Sequence, residues 1–137
     1  WMMSFVGIDF GARKAGTTAV CFLASERLLV VEATKGANAD LFLQPQLENI
    51  KPQKVFIDAP LSLSGGYFAF GGDYMFRSCD RELGAMSPMF LGGLTARAIK
   101  LKSEFCRIEF IETCPRALAR VLNIATYKQH PLVWQDL

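Results

Sequence analysis

Apolar and polar residues fall into short β-like blocks over the first third of the chain. Phe5-Val6-Gly7-Ile8-Asp9-Phe10 is a β-rich run that stops at Gly11. After the turn Ala12-Arg13-Lys14-Ala15-Gly16, the block Thr17–Leu23 predicts a second strand. Ser25-Glu26-Arg27 reverses the chain into a third, Leu28–Ala33. Connections this short make the three strands antiparallel neighbours. From Asn38 to about Ile50 the period changes to a helical one, with Leu41, Phe42, Leu47 and Ile50 on one stripe. Pro45 interrupts that stripe, so a helix that starts late or is kinked is expected.

Lys54-Val55-Phe56-Ile57-Asp58 reads as a fourth strand, ended by Ala59-Pro60. A long insertion follows, spanning about residues 61–105, and its stretch 65–93 holds seven of the 11 glycines. Phe68, Phe70, Phe76 and Phe90 are interleaved with them. Insertions of this kind in compact domains are usually binding loops or lids, and a mobile flap is expected here. Within it, Arg77–Leu83 suits one or two helical turns and Thr95 to about Glu104 a helix. Arg107-Ile108-Glu109-Phe110-Ile111-Glu112 alternates as a fifth strand. Pro115 to about Asn123 is a helix with proline in its first turn. The order is β-β-β-α-β-(insertion, α)-β-α. Right-handed crossovers then place the fourth strand beside the first and the fifth beyond it. The expectation is one α/β domain over 1–137, with a mixed five-stranded sheet, three antiparallel strands then two parallel ones, in a ribonuclease-H-like arrangement.

Length and composition agree with one domain. The chain has 137 residues, 51% hydrophobic and 20% charged, too apolar for disorder, and no apolar run approaches a membrane span. The first residues lack the basic and apolar stretches of a secretory signal. Net charge is +2, unevenly placed: six basic and seven acidic side chains in 1–76 against nine and six in 77–137. That bias permits an anionic partner without requiring one. The four cysteines form no C-x-x-C pair and His130 is the single histidine, which disfavours both a thiolate zinc site and triad chemistry. Cys21 and Cys106, in or beside strand-like runs, read as packing thiols of a reducing cytoplasm.

Three acids close three of the strands. Asp9 ends the first, Asp58 the fourth and Glu112 the fifth. Parallel, adjacent strands bring all three to one sheet edge, at their carboxyl ends, where ligands of open α/β sheets gather. Converging hard oxygen donors suit Mg²⁺ or Mn²⁺, and such ions support phosphodiester hydrolysis. The expected catalytic and metal-holding set is Asp9, Asp58 and Glu112. Taken singly, Asp58 before Ala59-Pro60 is as well explained by capping the turn.

The blocks Val6-Gly7-Ile8-Asp9-Phe10-Gly11 with Gly16, Phe56-Ile57-Asp58-Ala59-Pro60-Leu61, Arg77-x-Cys79-Asp80-Arg81-Glu82-Leu83, Thr95-x-Arg97 and Ile111-Glu112-x-x-Pro115 extend this reading. In that order they resemble the predicted-nuclease family known as domain of unknown function number four-two-nine. The resemblance implies an RNase-H-like fold and a metal-dependent nuclease acting on nucleic acid, with Asp9, Asp58 and Glu112 as the acidic cluster. It makes Arg77, Asp80, Arg81, Thr95 and Arg97 insertion residues that reach the cluster and bind substrate. RNase-H-like nucleases commonly carry a last carboxylate on a C-terminal helix, and the tail Tyr127–Leu137 offers only Asp136. The expectation is a native chain that continues further, or a site one acid short.

Rival readings attach to the same residues. Gly7-Ile8-Asp9-Phe10-Gly11 with Gly16 is also similar to the first hairpin of Holliday-junction resolvases, whose later blocks do not match. Asp9-x-Gly11 followed by Thr17-Thr18 resembles the phosphate loop of actin-like kinases, which pair two such domains. An inactive RNase-H-like scaffold is the third. Within the insertion, Arg77 and Arg81 are one helical turn apart and expected on one face beside Asp80. Asp80 and Glu82 pairing with them on a solvated turn is the plainer account. Thr95 suits an N-cap. Tyr67, Phe68, Phe70, Tyr74 and Phe76 suit base stacking or, more simply, core filling beneath a lid.

Overall fold

The computed structural model describes residues 4–68 and 71–125. The elements are β1 (Phe5–Asp9), β2 (Ala19–Ala24), β3 (Arg27–Glu32), α1 (Ala39–Ile50), β4 (Lys54–Ile57), a short 3-10 helix (Gly65–Phe68), α2 (Ser78–Leu83), α3 (Pro88–Leu91), α4 (Gly93–Glu104), β5 (Glu109–Glu112) and α5 (Pro115–Val121). The strands form one sheet in the order β3-β2-β1-β4-β5. β1 pairs antiparallel with β2 and β2 with β3, while β1–β4 and β4–β5 are parallel. This is the mixed α/β sheet, with the strand order and directions of an RNase-H-like fold, that the crossovers require.

Alternation makes the core. Val6 and Ile8 of β1, Val20 of β2, Val55 and Ile57 of β4 and Phe110 of β5 are buried. They share one apolar cluster with Leu43 and Leu47 of α1 and Ala98 and Leu101 of α4. Burying such side chains contributes about 1.5–3 kcal/mol each. Since side chains alternate along a strand, Phe5, Gly7 and Asp9 belong to the other face.

The β2–β3 hairpin closes through two residues, Ser25 at φ 49° and Glu26 at φ 63°, the doubly positive turn that matches strand twist. Gly16, at φ 73°, lies where an added Cβ would come within 2.7 Å of the Lys35 backbone. Only glycine fits that crossing of the β1–β2 turn and the chain after β3.

Helix α1 does not start late. Asn38 caps it, accepting from the Asp40 and Leu41 N–H groups, and it runs through Pro45. Proline withholds the N–H that the Leu41 carbonyl would receive, but Leu41 is exposed and water can satisfy that oxygen. Cys106 is exposed rather than packed, because β5 begins only at Glu109, whereas Cys21 is half-buried and burial pushes its thiol pKa up. Among the described residues, no helix is long and apolar enough to cross a membrane. Phe70, His130 and Asp136 lie outside the described residues.

Candidate functional site

The parallel register decides which acids meet. Ile8 pairs with Ile57, and the Asp58 N–H donates to the Ile8 carbonyl at 3.4 Å. The next row therefore holds Asp9 and Asp58 side by side. Asp58 is half-buried, and its Oδ1 accepts the Phe10 N–H at 2.8 Å. Burial pushes its carboxyl up, and the neighbouring Asp9 pushes it further by charge and hydrogen bonding. The Phe10 N–H offsets part of this, and the value stands at about 6. The pair is two like charges held close by adjacent strands.

Glu112 does not join them. It pairs with Ile57, one row short of Asp58, and alternation assigns it to the face of Ile57 and Phe110. Its carboxylate is clasped by Arg77, with Nη1 donating to Oε2 at 2.6 Å and Nη2 to Oε1 at 2.9 Å. Among the described residues, no three His, Cys, Asp or Glu side chains are arranged to hold a metal ion. The expected triad is a pair here, with a third acid neutralised by arginine.

Arg77 is not free to take a phosphate. Besides Glu112, its Nε donates to Asp80 Oδ2 at 3.0 Å, Nη2 to Asp80 Oδ1 at 2.7 Å and Nη1 to Ser62 Oγ at 3.0 Å. Each of the guanidinium's N–H groups thus has an acceptor. Its backbone N–H also donates to Asp80 Oδ2, at 2.9 Å. The Asp80 and Glu112 carboxylates raise the Arg77 pKa despite burial. Asp80 is only 3% exposed. Burial pushes its carboxyl up, but the Arg77 hydrogen bonds and charge outweigh that and hold it below the ordinary range. Arg77 and Asp80 thereby join the insertion to the end of β5.

The expected shared face of Arg77 and Arg81 is not formed, because Arg77 is the extended N-cap of α2, at φ −82° and ψ 159°, and not part of its helical turn. Arg81 points away, pairs with Asp73 and lies over the Phe76 ring, 4.8 Å from its centroid. Thr95 is not a cap either. Gly92 precedes α4, and Thr95 is buried in its first turn, donating to the Pro88 carbonyl at 2.7 Å. That bond ties α4 to α3.

Arg97 does reach the first strand, as a positioning residue. Its Nε and Nη2 hold Asp40 at 2.7–3.0 Å, and Nη1 donates to the Gly11 carbonyl at 3.0 Å. The guanidinium sits 4.6 Å from the Phe10 ring centroid. On the loop's other side, the Gly11 N–H donates to the buried Thr18 Oγ1 at 3.0 Å. A Cβ at Gly11 would lie 2.1 Å from Thr17 Oγ1, so this loop admits no side chain there. Asp9 and Phe10 are thereby held against Asp58 from both sides. Asp40 is not among the expected site residues, and Thr18 figures only in the rival phosphate-loop reading. Asp40, two residues beyond the Asn38 cap, reads in sequence as an acid favouring the helix N-terminus.

Between the insertion and the β5–α5 connection lies a cleft of about 730 Å³. Asp58 and Glu112 are on its wall, with Phe76, Met86, Phe90 and Arg116 around it. Of the insertion aromatics, Tyr67, Phe68 and Tyr74 are exposed rather than core filling, as is Phe90, whereas Phe76 is half-buried. No protein-family model matches this chain, and no curated protein matches it.

Proposed function

We propose that this chain is a divalent-metal-dependent phosphodiesterase acting on nucleic acid, with Asp9 and Asp58 as its catalytic, metal-holding carboxylates. The observation that carries the reading is the like-charged pair at the carboxyl ends of β1 and β4, with Asp58 pushed up to about 6. Two carboxylates held this close favour either a shared proton or a cation. Their hard oxygens suit Mg²⁺ or Mn²⁺, and Mg²⁺ is commonly held by one or two carboxylates, with waters and substrate phosphate completing its shell. Glu112, engaged by Arg77, is not needed for that. When bound, the ion would supply an acidified water and a counter-charge for the leaving oxygen. The protein's share is placement. The Phe10 N–H fixes one Asp58 oxygen, and Arg97 and Thr18 fix the Gly11 loop that carries Asp9. The resemblance of five sequence blocks to the predicted-nuclease family supports the same reading. The four cysteines, all free, suit a reducing cytoplasm.

The Arg77–Glu112 pair favours a second reading, a nucleic-acid-binding RNase-H-like scaffold without cleavage, since it leaves two acids where the resemblance implies three. Nucleotide binding through the Gly11 loop is less well supported, because the Gly11 N–H is already given to Thr18. Cleavage separates the readings. Single-stranded, duplex and branched DNA and RNA are incubated with the full-length protein and Mg²⁺ or Mn²⁺. At least one class is expected to be cut, and Asp58→Asn is expected to lower that rate about a hundredfold or more, the scale of losing a catalytic electrostatic group. Cleavage of none of them gives the case to the scaffold.

A further inference from the structure

We propose that the cleft beside Asp58 receives an unpaired nucleobase, so that the chain selects single-stranded or splayed nucleic acid over continuous duplex. This deepens the nuclease reading and rests on it for the nature of the ligand.

The floor of the cleft is unsuited to phosphate. Asp58 and Glu112 are acidic, and the guanidinium beside them, Arg77, has every N–H group committed. Without a bound cation, a phosphate beside Asp58 and Glu112 would meet carboxylates and a saturated guanidinium. A nucleobase meets the opposite situation. Its exocyclic amino and ring N–H groups can donate to carboxylate oxygens, and its faces suit the apolar walls. Phe90 supplies a platform. It is 69% exposed, costly for a phenyl ring in water, and it is braced edge-on by Phe76 at 6.4 Å between ring centroids. Met86, also exposed, lines the same cleft and can adapt to a flat ligand.

The backbone of such a strand has a separate track. Arg116 lines the cleft, and Arg120 follows one turn later on α5. Both are exposed and neither forms an ion pair among the described residues; Arg116 donates through Nη2 to the Gly84 carbonyl, and its other N–H groups are given no acceptor there. A basic rim beside an aromatic platform is the arrangement by which proteins bind single strands. A base in a stacked duplex does not expose its faces to such a slot.

The test is equilibrium binding in EDTA, where cleavage cannot interfere. Fluorescence anisotropy is measured for the full-length protein with a labelled single-stranded oligonucleotide and with its blunt duplex, both as DNA and as RNA. Single strand is expected to bind at least about tenfold more tightly, and Phe90→Ala to remove about tenfold of that affinity, the scale of one lost base stack. Phe90→Trp is expected to retain it. Arg116→Gln with Arg120→Gln should lower the salt slope by about 1.4, two phosphate contacts on a single strand. Equal affinity for duplex, indifference to Phe90→Ala, or no binding to any nucleic acid would overturn the proposal. Phe90 is solvent-exposed, so its variants test recognition and not folding. A single-strand preference that depends on Phe90, without any metal-dependent cleavage, would leave this site standing and remove the nuclease reading alone.

Discussion

Replacing Arg77 with alanine is expected to lower folding stability by about 3–5 kcal/mol, the cost of stranding a buried charge without its partner. The stranded group is Asp80, whose carboxylate lies 2.7 Å and 3.0 Å from the guanidinium. Glu112 and Ser62 lose donors in the same step. Lysine should not rescue, because one ammonium cannot serve two carboxylates in a fork. Arg81→Ala is the contrast. That side chain is exposed, and its pair with Asp73 is screened by solvent, so the loss should be much smaller. The pH dependence has a defined sign. Asp80 has a depressed pKa in the fold, so its contribution is complete above its unfolded value and is lost as pH falls toward the folded one. Urea unfolding of the two variants at neutral and acid pH measures all of this. Equal, small losses for Arg77→Ala and Arg81→Ala would show that the insertion is not anchored through Asp80.

Asp58→Asn is expected to stabilise the protein at neutral pH while removing its proposed chemistry. In the fold the Asp58 carboxyl keeps its proton up to about pH 6, whereas in the unfolded chain it ionises at an ordinary value. The native state therefore binds more protons between those two values, and stability declines as pH rises through that window. The raised value acts as a destabilisation that is fully present above about pH 6 and absent below the unfolded value. The amide carries no charge to repel Asp9 and can still accept the Phe10 N–H. The variant should exceed the wild type near pH 8, by on the order of 1 kcal/mol once solvent screening is allowed for, and match it near pH 4. Urea midpoints across that range are the check, and no gain at pH 8 would mean that Asp9 and Asp58 do not repel. Gaining stability by neutralising a group is the mark of a residue placed for chemistry at a structural cost.

The fold was legible because its signals are local. Val6 and Ile8, or Val55 and Ile57, announce a buried face by alternation, and the two-residue link at Ser25-Glu26 dictates an antiparallel neighbour. α1 starts at its Asn38 cap and not late, because the effect of Pro45 depends on whether water reaches the Leu41 carbonyl, which the sequence does not state. Asp9 and Asp58 could be found for the same local reason: each closes an apolar strand. Glu112 closes one too, yet its row depends on how β5 registers against β4, and nothing within either segment states that. The arginines were harder still. Arg77 and Arg81 share a face only if both are helical, and Arg77 is turned out of the helix to meet Asp80 and Glu112. Arg97 finds Asp40 across 57 residues of chain, a pairing set by the packing of α4 beside α1 and not by spacing.

Asp9 and Asp58 together are proposed to form a divalent-cation site. The thermal midpoint of the full-length protein, measured with saturating Mn²⁺ and with chelator, tests it most directly. A cation that binds only the native state at a hundred times its dissociation constant adds about 2.7 kcal/mol, or roughly 5–10 °C for a domain of this size. That rise is expected in the wild type, with Asp9→Asn and Asp58→Asn each reducing it to near zero. An equal rise in all three proteins would place the ion elsewhere and contradict the claim.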